Sequence, residues 1–505
     1  MNFFKIFHNL YLLHGFAYAA QINNFHVIFN RVRIRKVMFY IAVFLLPCYC
    51  LEASQVGEAR QNYKAAKAGA TASDMANKYF PIYKAGFWIE RLNNPDELML
   101  APEQIKELNE AILDENDEMA DVTRLENTVS KQDLVEWLLK DPMPQDKNMF
   151  NKKGKAVNVV FYKKLLDNMN IEAVKQTNDL VFGVVVKKAD MRAFPTDEPV
   201  LKSPSAKGFD AFQYSAIYPP QPVALLHKSK DEKWGFFQTS FVRGWIKIDN
   251  IAFADNRDDV NPHSVFNIPY SIVITGSRVK VLKQGVGGQG AGGRKKTTIE
   301  TVPMGTALTF NGEDKNYWVV KFPEKNKQGR LQWIDGYIEK KADAHIGPLA
   351  YTKRNVINQA FKILGEGYGW GGMNGLRDCS SFIKDVFATM AINLPRHSSR
   401  QAMVGTVLAG IGESSSAVED INKALDSAAP GITLFGLSGH IMLYLGNING
   451  NYYTLHQLFG YHDKDGFKTV NKAVVTNLEL GKGSHMGAIL DRIKSVNLVM
   501  LDKAN

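Results

Sequence analysis

The spacing of apolar residues changes along this chain, and the changes limit how it can fold. Between residues 59 and 169 apolar side chains recur at the spacing of amphipathic helices. From residue 181 to 342 they form short β-type runs separated by turn residues, and after residue 351 helices precede strands. A chain of 505 residues has room for roughly three or four domains. The sequence therefore predicts a multidomain protein.

Residues 1–53 have the composition of a targeting segment. Basic residues precede an apolar core at 37–46 that is too short to span a bilayer, and a run at 10–20 is an alternative core. We expect export to the periplasm or cell envelope, with no membrane span in the mature protein. A lipid anchor at Cys48 or Cys50 is less favoured, because the residues before each cysteine are poor neighbours for acylation.

The formal net charge of +10 has two readings. It can reflect a solvated surface, or it can attract a polyanion. For an exported protein the polyanion is a cell-wall polymer or a phospholipid head group, so nucleic acid is not an expected partner.

Residues 54–180 are predicted to form a helical N-terminal domain. Pro102 begins a segment with apolar residues on one face, and Ser130 stands where a helix N-cap is expected. Acidic residues between 114 and 121 lack the glycine and the spacing of a calcium loop, so we interpret them as a solvated helix end.

The β-type runs divide into two similar blocks, at residues 181–262 and 263–342. The pattern Trp234…Gly244-Trp245 in the first block returns as Trp318…Gly336-Tyr337 in the second, which indicates an imperfect internal repeat. Two small β-barrels, each with about five or six strands, fit this pattern best.

One glycine-rich segment in the second block resembles a nucleotide-binding motif. Gly285-Val-Gly287-Gly-Gln-Gly290 matches G-x-G-x-x-G, but β-type residues follow it. A dinucleotide site needs a helix there, so that its N-terminus meets the phosphate. We interpret the segment as a hairpin tip, and expect neither a cofactor nor a metal.

Residues 343–505 form the last block, which is predicted to be an α+β domain. A helix around Val356 precedes a glycine-rich stretch, and a second helix is expected over residues 379–391. Strands follow, including the apolar run that begins at His440.

Cys379 is the cysteine that an exported form of this chain retains, because Cys48 and Cys50 end the targeting segment. A lone thiol forms no internal disulfide, so it is either an inert buried residue or a reactive nucleophile. Asp378 can cap the helix that Cys379 opens, and a helix N-terminus favours thiolate over thiol. The surroundings favour the nucleophile.

A cysteine nucleophile needs an imidazole to accept and return a proton. Among the downstream histidines His440 is the strongest candidate, since a polar residue at the start of an apolar strand needs a reason. His456 ends the next strand, and an antiparallel pair can bring the two rings together. A base with a third group to orient it is the arrangement of cysteine peptidases. The alternatives are His397, His462 and His485.

Three motifs resemble the NlpC family of bacterial cell-wall cysteine peptidases. They cover about 150 C-terminal residues and read Tyr368-Gly-Trp370-Gly371-Gly372…Asp378-Cys379-Ser380-Ser381-Phe382, Leu394-Pro395-Arg396-His-Ser398-Ser-Arg-Gln401 and Gly439-His440-Ile-Met-Leu-Tyr-Leu-Gly446. The two β-type blocks resemble bacterial SH3 domains, and the segment from Trp88 to Asp96 resembles the N-terminal domain of a subgroup. Together the architecture is similar to γ-D-glutamyl-L-diamino acid endopeptidases.

The resemblance implies a papain-like fold with Cys379 as nucleophile, His440 as base and His456 as the third polar residue. It places substrate-binding side chains in the cleft, namely Tyr368, Asp378, Ser380 and Ser398, with Tyr368 also a candidate for stabilising the oxyanion. It implies a monomer that acts on stem peptides or muropeptides. In this subgroup the first SH3 domain closes one end of the cleft and favours a free L-Ala amine. His397 stands where relatives often carry an acidic or polar residue, which alters the charge of the pocket.

Two other function classes remain open. One is a non-catalytic peptidoglycan-binding protein, against which the Cys, His and His set argues. The other is an amidase or acyltransferase on the same papain-like core.

Overall fold

The computed structural model describes residues 81–141, 148–206, 208–260, 270–285, 296–410 and 417–501. The predictions for the targeting segment, for a lipid anchor and for the glycine-rich tip after Gly285 fall outside these residues. None of the helices in the described part of the chain combines the length and the apolar character needed to span a bilayer.

The N-terminal part is helical where the sequence predicts helices. Its α-helices are α1 (Ala85–Ile89), α2 (Pro102–Asp114), α3 (Lys131–Leu139) and α4 (Val159–Asn168). The Gln104 side chain accepts a hydrogen bond from the Ala101 N–H at 2.9 Å, and the Ser130 hydroxyl accepts one from the Asp133 N–H at 3.1 Å. These caps satisfy N–H groups that have no partner within the helix.

These helices divide between two cores, so a separate N-terminal helical domain is not confirmed. Trp88 of α1 and Leu108 of α2 pack in one core with Phe382 of the C-terminal domain. Leu134 of α3 instead packs with Trp245 of the first β block. Helical spacing predicts that one face is buried, but it does not say against which partner.

Two short strands and two seven-stranded antiparallel sheets form the middle of the chain. The short strands β1 (Thr128–Ser130) and β2 (Thr177–Asp179) pair with each other. The first sheet contains β3 (Val181–Val185), β4 (Ala189–Arg192), β5 (Gln213–Ile217), β6 (Pro222–Lys228), β7 (Trp234–Gln238), β8 (Arg243–Lys247) and β9 (Ile251–Phe253). The second contains β10 (Ser271–Ile274), β11 (Arg278–Gln284), β12 (Lys296–Pro303), β13 (Ala307–Glu313), β14 (Tyr317–Lys325), β15 (Leu331–Glu339) and β16 (Ala344–Ile346).

The two sheets have the same topology, which confirms the predicted internal repeat. The strand order is β5-β4-β8-β7-β6-β3-β9 in the first sheet and β12-β11-β15-β14-β13-β10-β16 in the second. Gly244 and Gly336 occupy equivalent places: a Cβ at Gly244 would lie 2.8 Å from Met191, and one at Gly336 would lie 2.9 Å from Val281. Seven strands exceed the five or six expected, because edge strands of three residues carry too little pattern to recognise.

The C-terminal domain is α+β, as predicted. Its helices are α5 (Lys353–Phe361), α6 (Cys379–Ala388), α7 (Ser398–Gln401) and α8 (Ala417–Asp426). Its sheet has the order β17-β22-β18-β19-β20-β21, formed by β17 (Thr406–Gly410), β18 (Thr433–Leu437), β19 (His440–Ile448), β20 (Asn451–Asp463), β21 (Gly466–Asn477) and β22 (Ser495–Leu498). Helix α6 packs on β19 and β20, and this contact brings its first residue to the start of β19.

Candidate active site

Cys379 is the first residue of α6, and Asp378 caps the helix as predicted. An Asp378 carboxylate oxygen accepts hydrogen bonds from the Ser381 N–H at 2.9 Å and from the Ser381 hydroxyl at 2.8 Å. The Ser381 hydroxyl in turn accepts one from the Asp378 N–H at 2.9 Å. This reciprocal cap fixes the helix start. Cys379, the next residue, is only 6% exposed.

The two predicted imidazoles contact each other, as the pairing of their strands allows. His440 Nε2 lies 2.7 Å from His456 Nδ1, and His456 Nε2 lies 2.9 Å from the Thr476 hydroxyl oxygen. The backbone N–H of Ile441, the residue after His440, donates a hydrogen bond to the Cys379 sulfur. The pairing of β19 with β20 and of β20 with β21 therefore aligns three side chains from three strands.

Only one direction of the hydrogen bonds that link His440, His456 and Thr476 makes His440 suitable as a general base. If the His440 Nε2–H donates to His456 Nδ1, the His456 Nε2–H donates to the Thr476 oxygen. His440 Nδ1 is then an unprotonated nitrogen, and it is the ring nitrogen left for the thiol. The opposite direction would protonate His440 Nδ1 and prevent it from accepting a proton.

Burial controls the charge of these groups more strongly than the helix N-terminus does. Desolvation, followed by the Asp378 carboxylate, raises the pKa of the Cys379 thiol to about 12, although the Ile441 N–H and Arg396 oppose the rise. Desolvation lowers the pKa of His440 to about 4 and holds that of His456 well below its usual value. In the free site the thiol and both imidazoles are therefore neutral, rather than the thiol being a thiolate as the helix position alone favours.

The predicted substrate-binding residues surround Cys379 to different degrees. Desolvation, followed by the negative charges of Cys379 and Asp378, raises the pKa of Tyr368 well above its usual value, so its hydroxyl stays protonated beside the thiol. The second Asp378 oxygen accepts the Gly371 N–H at 2.9 Å, so Asp378 holds the turn before α6. Ser398 is a partly exposed residue at the start of α7. Contact of these residues with substrate stays a prediction.

Arg396 is a site residue whose role the sequence does not reveal. Its guanidinium donates to the Asp378 carboxylate at 2.6 Å, to the Ser380 hydroxyl at 2.6 Å and to the Ser215 hydroxyl at 2.9 Å. The side chain is fully buried. The motif around Pro395 points to this segment, but no local signal points to Ser215 or to Thr476.

The first sheet packs directly against the turn that precedes the nucleophile. The Gln213 side chain of β5 donates to the Gly371 carbonyl at 3.0 Å, and the Trp370 indole N–H donates to the Asp210 carbonyl at 2.9 Å. Gly371 and Gly372 have φ values of 56° and 78°. A Cβ at either position would come within 2.6 Å of β5, so only glycine allows this approach.

Aromatic rings and buried carboxylates mark this junction. Phe209 lies in the connection between β4 and β5 of the first sheet. Its ring packs between those of Tyr368 and Phe459, with ring centroids 6.0 and 4.3 Å away. His397 lies 3.1 Å from Glu118. Burial by itself would raise the pKa of the Glu118 carboxyl, but His397 and Lys140 lower this pKa to about 2. The Tyr214 hydroxyl donates to Asp141, whose pKa burial raises. His397 is therefore paired with an acid.

A cavity of about 510 Å³ lies behind α6, between the two sheets and the C-terminal domain. Arg396 and Ser215 are among its lining residues, whereas Cys379 and His440 are not. Within the described residues, no group of three His, Cys, Asp or Glu side chains is arranged to hold a metal ion.

Comparisons with known families agree with this geometry. Residues 365–463 match the profile of the NlpC/P60 family, and residues 199–247 match that of an SH3 domain of the SH3b1 type. The first segment contains Cys379, His440 and His456, and the second contains β5 to β8. No curated protein matches the chain.

Several solved structures resemble the chain. A novel NlpC/P60 endopeptidase from Photobacterium damselae subsp. piscicida is 19% identical, with a TM-score of 0.62 over 82% of this chain and 97% of that one. An NlpC/P60 family protein from Bacillus cereus is 15% identical over 57% of this chain and 83% of its own, with a TM-score of 0.40. The first likeness shows a common fold across most of the chain; the second score is too low to support an argument.

Proposed function

The chain carries an NlpC/P60 domain, the catalytic domain of cysteine peptidases that hydrolyse peptidoglycan, and we propose that it cleaves the bond between γ-D-Glu and the diamino acid of stem peptides. The diamino acid is diaminopimelate or lysine. The observation that carries the proposal is the 2.7 Å contact of His440 with His456, where the N–H of the next residue, Ile441, reaches Cys379 at the start of α6. The first sheet borders this site. Peptidoglycan is the substrate class of the family.

The proposed chemistry divides hydrolysis into two steps. The Cys379 sulfur attacks the γ-carbonyl carbon of D-Glu, while its proton moves to His440 Nδ1. The C–N bond then breaks, and His440 returns the proton to the departing amine of the diamino acid. Water attacks the resulting thioester, His440 accepts its proton, and the thiol re-forms as the peptide carboxylate leaves.

Two donors are available to the negative oxygen that forms during attack. The backbone N–H of Cys379 lies in the first turn of α6, where N–H groups have no helical acceptor. The Tyr368 hydroxyl stays protonated and can donate from the other side. His456 keeps the His440 ring in the required tautomer, which is the third role expected for the triad.

The preference for a free L-Ala amine rests on the junction with the first sheet. A docked sheet at one end of the cleft leaves space for a peptide that ends there. Glu118 and Asp141 are the acids near this junction, and each already has a partner: His397 and Lys140 contact Glu118, and the Tyr214 hydroxyl donates to Asp141. In the proposal, the terminal ammonium group joins one of these acids and replaces an existing contact. Asp378, Ser380 and Ser398 complete the proposed cleft.

The remaining parts of the proposal concern organisation and location. The second sheet repeats the topology of the first, so we treat it as a second SH3-like barrel. Peptidoglycan lies outside the cytoplasm, which supports export of the chain to the cell envelope. We expect a monomer without a cofactor.

Digestion of purified muropeptides, followed by mass analysis of the products, tests the proposal against its alternatives. Cleavage between γ-D-Glu and the diamino acid is the expected result. Release of the stem peptide from the glycan would indicate an amidase, and transfer of an acyl group to an added amine without hydrolysis would indicate an acyltransferase. Binding of peptidoglycan without any product would indicate a non-catalytic protein.

A further inference from the structure

Arg396 connects the first sheet to the residues on both sides of the nucleophile. Its Nε–H donates to the Ser215 hydroxyl of β5, and its two terminal nitrogens donate to Asp378 and Ser380. Only 3% of the residue is exposed. A guanidinium is planar and presents its donors in a fixed fork, so one bond to the sheet orients the other two.

We propose that Ser215 and Arg396 are positioning residues through which the docked first sheet sets the reactivity of Cys379. The sheet is then part of the catalytic centre, in addition to closing one end of the cleft. This inference builds on the proposed function, but its main readout is the chemistry of the thiol and needs no substrate.

Charge explains why the position of this guanidinium matters. Asp378 is adjacent to Cys379, and its carboxylate disfavours the thiolate, whereas the positive charge of Arg396 favours it. The other groups near the thiol are the Tyr368 hydroxyl and the backbone N–H groups of Ile441 and Ser380. Arg396 is the one positive charge among these described groups, so its displacement leaves Asp378 uncompensated.

The surroundings give Arg396 space to move if the sheet releases it. Both Arg396 and Ser215 line the cavity behind α6. The Ser215 hydroxyl also donates to the Ala216 carbonyl at 3.2 Å, which directs its oxygen lone pairs toward the Arg396 Nε–H. Without that hydroxyl, the Nε–H has no acceptor on the sheet, and the guanidinium can turn toward the cavity to find water.

Three variants of the full chain isolate this effect. Ser215→Ala removes the acceptor, and Ser215→Thr keeps it. Ser229→Ala is the matched control. Ser229 is a buried serine that directly follows β6 of the first sheet. Its hydroxyl is hydrogen-bonded to Asp231 and Trp234 and not to the C-terminal domain. The rate of iodoacetamide alkylation at Cys379 is measured against pH, with the modified peptide identified by mass so that Cys48 and Cys50 do not contribute.

The expected result is a slower alkylation of Ser215→Ala, by about fivefold at neutral pH, with the profile displaced to alkaline pH. Ser215→Thr and Ser229→Ala should follow the wild type. On the tripeptide L-Ala-γ-D-Glu-diaminopimelate, kcat should fall by a similar factor while KM changes less than about twofold. Loosening or unfolding of the sheet would expose Cys379 and speed alkylation, which is the opposite direction.

Two results would overturn the inference. One is a Ser215→Ala profile that matches Ser229→Ala or that is faster than the wild type. The other is a Ser215→Thr variant as slow as Ser215→Ala, which would assign the effect to packing rather than to the hydroxyl. If the wild type does not cleave the tripeptide, the proposed function fails, but the alkylation comparison still decides the role of Ser215.

Discussion

His440 Nε2 and His456 Nδ1 are separated by 2.7 Å, and this contact determines which nitrogen of His440 is left to accept a proton. Because Nε2 is occupied by His456, Nδ1 is the nitrogen that remains for the proposed proton transfer. His456 is fully buried, and its Nε2 contacts the Thr476 hydroxyl oxygen. The His456 ring therefore cannot rotate without losing a hydrogen bond. The direction of these hydrogen bonds is the basis of the predictions for His440, His456 and Thr476 below.

Replacement of Cys379 by alanine should abolish hydrolysis of L-Ala-γ-D-Glu-diamino acid peptides. The sulfur is the proposed nucleophile, so we expect a loss of about a thousandfold or more. Unfolding temperature should change little, because a small buried side chain is replaced by a smaller one. Retention of more than a few per cent of the activity would show that another group attacks the substrate.

Replacement of His440 by alanine should be nearly as damaging, with a loss of about a hundredfold or more. His456→Gln should be milder, about tenfold, since an amide can still hold the His440 ring. His462→Ala is a control on β20, the strand that also carries His456, and it should retain activity. Equal rates for the wild type and His440→Ala would contradict the assignment and direct attention to His397 or His462.

Thr476→Val should reduce kcat by roughly threefold to tenfold, because valine keeps the shape but provides no acceptor for His456. Thr476→Ser should preserve the rate. Thr454→Val is a matched control, since Thr454 is a fully buried threonine whose hydroxyl contacts Met442 rather than the histidines. If Thr476→Val and Thr454→Val have the same kcat, Thr476 does not fix the tautomer.

Alkylation of the wild-type thiol should increase steadily with pH. With the pKa of Cys379 near 12 and that of His440 near 4, the thiol is neutral through the intervening range. The thiolate fraction, and with it the alkylation rate, should therefore rise about tenfold per pH unit between about pH 6 and 9. A plateau that begins below about pH 8 would instead indicate a preformed thiolate–imidazolium pair.

Gly371→Ala should weaken the docking of the first sheet. Its φ of 56° disfavours alanine, and the new Cβ would lie 2.5 Å from Gln213. We expect a loss of about 1–3 kcal/mol in unfolding free energy and a fall in kcat/KM. Gly450→Ala carries a similar backbone cost, with φ of 81°, but its Cβ meets no atom within 4 Å. If both variants behave alike, contact with the sheet is not what requires glycine at 371.

The sequence predicts those features that local pattern determines. The change of apolar spacing near residue 180 locates the sheets, and the recurrence of tryptophan and glycine reveals the repeat, because Gly244 and Gly336 meet the same close approach. Cys379 and His440 stand out as candidates because a lone cysteine after a helix cap and a histidine at the start of an apolar strand are visible in the sequence. These features need no knowledge of distant contacts.

Features that depend on distant contacts could not be predicted. Ser215 and Arg396 are 181 positions apart, and neither residue type signals a partner at that distance. The division of α1 and α3 between two cores has the same origin, since an amphipathic helix does not specify its partner. The raised pKa of Cys379 also follows from burial, which depends on the tertiary structure and outweighs the local helix N-terminus.

The central claim is that this chain cleaves the γ-D-Glu–diamino acid bond of stem peptides whose L-Ala amine is free. The most direct measurement compares kcat/KM for a muropeptide stem with a free L-Ala nitrogen and for the same stem still amide-linked to N-acetylmuramic acid. We predict that the free peptide is cut at least about a hundredfold faster, because in the proposed cleft the first sheet closes the end beyond the terminal amine. Similar rates on the two substrates would contradict the account.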